Sequence, residues 1–242
     1  IYKCVDCRAA CHAECRDKVP KPCIAVAGSR TPVGKGTGII SDYTPVEAPM
    51  IPALVIHCVK EIEERGLTTA GIYRVSGSHG EVTGLMDKFL RGHNVPRLSE
   101  VRDIHAVTSC IKRFLHSLKE PLVPNSMAQM FVDAATNPDT TDAEAAMYQA
   151  VSELPQPNRD TLAYLILHLQ RVAASPDTLM PADSLAKVFG PTLLGFYNID
   201  VNPHVLTEYQ INVVRVLLDL PGDYWAKFVD VEAAGYGFGL VG

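Results

Sequence analysis

The chain has 242 residues, 47% of them hydrophobic and 20% charged, with a formal net charge of -5. That is enough apolar material for one sizeable core, and the mild acidity counts against a general nucleic-acid binder. No apolar run approaches a membrane span and the chain starts at Ile1 without a signal-peptide pattern, so the expectation is a cytoplasmic chain cut from something longer.

Cysteine usage divides the sequence. Cys4, Cys7, Cys11, Cys15 and Cys23 crowd the first residues, while Cys58 and Cys110 stand alone in helical patterns. Without a secretory context, metal binding is a better reading than disulfides. Cys4, Cys7, His12, Cys15 and Cys23 follow the spacing C-x2-C-x4-H-x2-C-x7-C, with Cys11 outside it. Thiolates and an imidazole so spaced suit tetrahedral zinc. Residues 25–48, rich in Gly, Pro, Ser and Thr, read as a linker. Within it, Gly28 and Gly34-Lys35-Gly36 imitate a phosphate-binding loop but fail on spacing and on the missing hydroxyl after the lysine.

After Pro49 the apolar residues recur at three- and four-residue steps. Ile51, Leu54, Val55, Cys58 and Ile62 predict one helix that ends near Gly66. Val82, Leu85, Met86 and Phe89 predict a second, and Val107, Ile111, Phe114, Leu115 and Leu118 a third that Pro121 stops. A capping box of Thr141 and Glu144 opens the next pattern, and Asn158 is placed to cap a long helix carrying Leu162, Leu165, Leu169 and Val172. Shorter helices are expected around Met127 to Ala135 and Leu185 to Phe189, and a longer one from Glu208 to Leu218. With no run of period-two alternation, the class is all-α, a multi-helix bundle. His57 and His168, inside apolar stretches, read as core or boundary histidines rather than catalytic ones. Between the first two helices lies the glycine-bracketed loop Gly71-Ile72-Tyr73-Arg74-Val75-Ser76-Gly77-Ser78. An arginine there offers a planar, permanently charged fork suited to phosphoryl oxygens.

Two resemblances follow from these residues. The cysteine spacing is similar to the second half of the cysteine-rich zinc domain of the protein kinase C type, placed over residues 1–24. That resemblance implies that Cys4, Cys7 and Cys23 serve one zinc ion and His12 with Cys15 another. It also implies that the remaining ligands, and any phospholipid-binding loops, belong to the intact domain upstream. The arginine loop, the run Ile111-Lys112-Arg113-Phe114-Leu115-His116 through Leu122, and Leu185-Ala186-Lys187-Val188-Phe189-Gly190-Pro191-Thr192 resemble, in order and spacing, the three signature blocks of the RhoGAP family. The resemblance spans 49–228 and leaves a Gly-rich tail over 229–242.

It implies that the domain activates Rho, Rac or a close relative by supplying Arg74 as an arginine finger in trans. The domain has no hydrolytic activity of its own, and GTP and magnesium belong to the partner GTPase. Gly71 and Gly77 shape the finger loop; Tyr73, Ser76 and Lys112 join the GTPase contacts; and Pro191 marks a helix-ending turn. Two residues depart from the family pattern. His116 replaces an arginine that braces the loop, and Ser184 replaces an asparagine that contacts the GTPase. Those departures keep open the alternative of a catalytically weakened GTPase-binding scaffold. The Leu118-Lys119-Glu120-Pro121-Leu122 variant and Asp223-Tyr224-Trp225 resemble the cytokinetic branch of the family, whose members work with the centralspindlin kinesin. By that resemblance the expected location is the cytoskeleton, at the spindle midzone, midbody and cleavage furrow.

Overall fold

Each core helix forms where an apolar stripe repeats, and each stripe is buried. The structure is a computed structural model that describes residues 1–3, 10–18, 23–24, 38–91, 95–195 and 202–229. Helix α1 (Ala53–Arg65) starts after Pro52 and closes where the Gly66 N–H donates to the Ile62 carbonyl at 2.7 Å. It buries Leu54, Val55, Cys58, Val59 and Ile62. Helix α2 (His79–Arg91) buries Val82, Leu85, Met86 and Phe89. Helix α3 (Ile104–Ser117) is capped by Asp103, whose carboxylate accepts from the His105 N–H, and packs against both α1 and α2.

Helices α4 (Ala128–Thr136) and α5 (Thr140–Ser152) pack on each other. The cap of α5 is Asp139, which accepts from the Thr141 and Asp142 N–H groups, so the expected Thr141 capping box does not form. Helix α6 (Gln156–Ala174) is the axis of the bundle. It touches α1, α7 (Ala182–Leu194), α8 (Pro203–Asp219) and α9 (Gly222–Ala226). Asn158 lies inside α6 rather than capping it, and its amide donates to the Leu122 carbonyl across the core at 2.8 Å. Pro191 opens the last turn of α7, and its carbonyl accepts from the N–H of Gly195 (φ 62°) at 3.2 Å where the helix closes after Leu194. Trp225 is fully buried under α8, donating to the Leu217 carbonyl at 3.3 Å. No helix among the described residues is long and apolar enough to cross a membrane.

The all-α expectation holds apart from a two-residue antiparallel pair, β1 (Tyr2–Lys3) with β2 (Ala10–Cys11), in the cysteine-rich segment. Of the expected linker, the part before Gly38 lies outside the described residues, as do the phosphate-loop imitation and the tail beyond Val229. From Gly38 onward the chain packs on the bundle. Ile40 and Tyr43 are buried, and Tyr43 meets Phe114 edge to face with centroids 5.1 Å apart. The Lys119 N–H donates to the Gly38 carbonyl at 2.8 Å, and buried Asp160 accepts from the Met50 N–H at 2.9 Å.

Candidate functional site

The loop between α1 and α2 is fixed at both ends by its glycines, for different reasons. Gly71 has φ 72°, a left-handed angle that costs most residues roughly 1–2 kcal/mol. Its N–H donates to the Thr178 carbonyl at 2.7 Å, and its carbonyl accepts from the N–H groups of Arg74 and Val75, each at 2.9 Å. Gly77 needs its bare backbone for space. A Cβ there would lie 2.4 Å from both the Cα and the N of Ala106, at the start of α3. The Gly77 N–H donates to Ser109 Oγ on the same helix at 3.0 Å.

Between the glycines, Tyr73 is also left-handed (φ 68°) and completely buried. Its ring meets Phe189 of α7 and His168 of α6 at centroid distances of 5.0 and 5.7 Å. Its hydroxyl lies 2.7 Å from His168 Nε2, His168 Nδ1 lies 2.9 Å from Glu63 of α1, and Glu63 takes Arg171 at 2.8 and 3.0 Å. Burial pushes the His168 imidazole below its ordinary value despite the Glu63 carboxylate, and keeps the Tyr73 phenol well above its own. Burial alone would raise the Glu63 carboxyl, but the bonds from His168 and Arg171 outweigh it and hold the group down. Neutral His168 therefore donates from Nδ1 to the carboxylate and accepts the tyrosine O–H at Nε2. A hydroxyl, an imidazole and a carboxylate in line resemble a nucleophilic triad, but Tyr73 is closed to any substrate.

Arg74 follows directly and is exposed. Its Nη2 lies 3.3 Å from where a Cβ on Gly71 would stand, so the side chain lies over that glycine. Among the described residues no carboxylate takes its guanidinium. The fork is therefore available to an anion brought from outside.

The other expected site residues divide. Lys112, half-buried on α3, donates from Nζ to the Tyr73 carbonyl, and burial lowers its ammonium from the ordinary lysine value. His116, one turn further along α3, is exposed and bonds Thr192 Oγ1 at 3.1 Å. Since that hydroxyl donates to the Val188 carbonyl at 3.0 Å, His116 Nε2 is the donor. His116 faces a shallow polar cleft of about 210 Å³ shared with Lys119, Asn125, Pro191 and Thr192. In this geometry Lys112 braces the loop through the Tyr73 carbonyl, while His116 bonds Thr192 of α7. Tyr73, expected among the GTPase contacts, is an internal anchor whose ring no partner can touch. Ser76 is exposed beside Arg74, and half-buried Ser184 sits in the first turn of α7 with its N–H on the Pro181 carbonyl.

Of the candidate zinc ligands, Cys4 and Cys7 lie outside the described residues. His12 and Cys15 occupy one 3₁₀ turn, with the Cys15 N–H on the His12 carbonyl at 3.0 Å. That places two donors of suitable chemistry on neighbouring positions of a single turn. Among the described residues no group of three His, Cys, Asp or Glu side chains gathers as a metal site.

The RhoGAP domain profile matches residues 52–196, a stretch that holds the finger loop, α3 and α7. The chain belongs to the RhoGAP family. It is 50% identical over 235 residues to mouse Rac GTPase-activating protein 1, covering 95% of this chain and 37% of that protein. It is 36% identical over 176 residues to mouse Rho GTPase-activating protein 15, covering 71% of this chain and 36% of that protein. The chain thus spans a little over a third of the length of these curated relatives. The crystal structure of human Rho GTPase activating protein 15 superposes with a TM-score of 0.73 at 31% identity, over 87% of this chain and 96% of that one. The BH domain from Graf, the GTPase regulator associated with focal adhesion kinase, gives 0.65 at 26% identity, over 74% and 93%.

The sequence pointed to the loop of residues 71–78 but not to what holds it. Glu63, His168 and Arg171 carried only faint signals, a histidine inside an apolar helix face and single charges at its margin.

Proposed function

We propose that this RhoGAP domain accelerates GTP hydrolysis on a Rho-family GTPase by inserting Arg74 in trans beside the transferring phosphoryl group. The observation that carries the reading is an exposed arginine without a carboxylate partner among the described residues, on a loop that α1, α3, α6 and α7 hold from below. A guanidinium so placed neutralises charge that grows on the phosphate oxygens in the transition state. Such fingers contribute about 10³ to 10⁵ in rate. GTP and magnesium come with the GTPase; this chain supplies the charge, its orientation and the exclusion of water around it. Similarity to a protein named for Rac supports Rac or a near relative as the partner.

The scaffold alternative rests on His116 and Ser184. Lys112 grips the loop through the Tyr73 carbonyl, which favours the activator over the scaffold. The wider reading, a cytokinetic protein joined to the centralspindlin kinesin at the midzone, midbody and furrow, is supported by the sequence resemblance. The same holds for the zinc domain. Cys4, Cys7 and Cys23 would hold one ion and His12 with Cys15 the other, the metal supplying folding energy, and the intact domain would meet phospholipid.

The test is phosphate release from a panel of GTP-loaded Rho-family proteins, with Arg74→Ala in parallel. The substitution is expected to abolish most of the acceleration and leave the fold and ground-state affinity intact. Equal turnover by both chains, on a GTPase that the wild type stimulates, removes Arg74 from the mechanism.

A further inference from the structure

The bonds around Tyr73 do more than close a core. Tyr73 is the residue directly before the finger, and it is gripped at three points. Its hydroxyl donates to His168, its carbonyl accepts from Lys112, and its ring is wedged against Phe189. A bulky residue prefers not to hold φ 68°, an angle whose cost is of order 1–3 kcal/mol and persists only where surroundings over-determine it. The peptide that leaves Tyr73 is the one that aims Arg74. With the Tyr73 carbonyl held by α3 and the Arg74 N–H held by the Gly71 carbonyl at 2.9 Å, the peptide plane has little freedom left.

The hydroxyl end reaches a long way. His168 passes the connection to Glu63, and Glu63 to Arg171, whose side chain is 55% exposed. The chain of bonds thus runs from the finger loop through α6 and α1 to the surface. Every member has a defined role: the tyrosine donates, the imidazole relays, the carboxylate accepts from two sides. A fold needing only to fill this space would be served by phenylalanine, which keeps the ring contacts and needs no partner.

We propose that Tyr73, His168, Glu63 and Arg171 form a strut that positions the arginine finger, with Tyr73 and His168 as positioning residues for GTP hydrolysis. The proposal rests on Arg74 being the finger. Tyr73 and His168 are fully buried and closed to a docking partner, so they should influence the rate of the bound complex and not the formation of that complex.

The experiment uses the whole chain and a GTP-loaded Rho-family GTPase that it stimulates. Single-turnover hydrolysis is followed across chain concentrations, giving a maximal rate and a half-saturating concentration. Tyr73→Phe is expected to lower the maximal rate about fivefold to tenfold, in line with one lost hydrogen bond, and to leave half-saturation unchanged. Glu63→Gln keeps an acceptor for His168 but leaves Arg171 without a carboxylate, and should give a smaller loss in the same direction. The deciding arm is the cycle with Arg74→Ala. If the strut acts through the finger, Tyr73→Phe changes nothing further once the guanidinium is gone. A folded Tyr73→Phe chain with wild-type maximal rate, while Arg74→Ala is impaired, overturns the strut and spares the finger. Effects that multiply in the double variant, or a raised half-saturation at unchanged rate, also overturn it. If Arg74→Ala itself has no effect, finger and strut fall together.

Discussion

Replacing Gly77 with alanine tests how tightly the finger loop is bound to the helix beneath it. The new Cβ would stand 2.4 Å from the Cα and N of Ala106 and 2.7 Å from the carbonyl carbon of His105. Ordinary contact begins at 3.4 Å, so loop and helix must part by about 1 Å. All three obstructing atoms are backbone, and the turn they belong to is pinned by the Asp103 cap. The displacement therefore falls on the loop, three residues from Arg74. Misplacing a reacting group by ~1 Å costs on the order of 10² in rate. Overpacking of this kind costs about 1–3 kcal/mol, well within the usual stability of about 5–15 kcal/mol, so the chain stays folded. For a domain of this size each kcal/mol lowers the melting temperature by about 2–4 °C. Single-turnover hydrolysis at saturating chain, beside a thermal melt, separates the two effects. The expected result is a maximal rate down about a hundredfold in a chain that still melts cooperatively. A destabilised Gly77→Ala chain that activates as fast as wild type would refute the reasoning, because the steric shift would then not reach Arg74.

Two further outcomes are expected. The folded-state values of His168 and Glu63 both lie below their ordinary 6.5 and 4.5, so the unfolded chain binds more protons than the folded one as pH falls. Stability is then whole above pH 6.5 and is lost on acidification through the two folded values. Melting curves across that range should show His168→Gln removing the upper part of the slope and Glu63→Gln the lower; identical slopes in all three chains would count against the assignment. Leu179, 62% exposed with φ 51°, gives little by burial and pays a backbone cost that asparagine tolerates better. Leu179→Asn should stabilise the chain by about 0.5–1 kcal/mol in denaturant unfolding, and a loss of stability would mean the leucine makes contacts that matter more than its angle.

The helices were legible because their evidence is local. Burial follows the three- and four-residue spacing closely in α1, α2 and α3. Where several residues compete for one local task, the spacing could not choose. Asp139 and Thr141 are both good caps two residues apart, and the carboxylate wins by accepting from two N–H groups at once. Asn158 has a cap's chemistry, but its amide is drawn away by a carbonyl 36 positions earlier. The site divides in the same way. Arg74 and its glycines stand together in sequence, so their loop is legible as a unit. The strut joins Tyr73 to His168 and His168 to Glu63 over separations of 95 and 105 residues, which one sequence does not reveal. Lys112 and His116 lie a single turn apart on α3, yet Lys112 bonds the Tyr73 carbonyl and His116 bonds Thr192 of α7, a difference that spacing does not reveal.

The segment from Gly38 to Met50 shows that the unit that folds is larger than the unit that is recognised. The family match begins at residue 52, yet Phe114 depends for its cover on Tyr43, and α6 holds the Met50 N–H with Asp160. Ile24, next to the candidate ligand Cys23, also packs against this core. A chain trimmed to the family boundary would open an aromatic face on α3 and leave a carboxylate in α6 without its backbone donor. The folded unit therefore reaches past the family boundary, and the aromatic wall on α3 is completed by a residue outside the match.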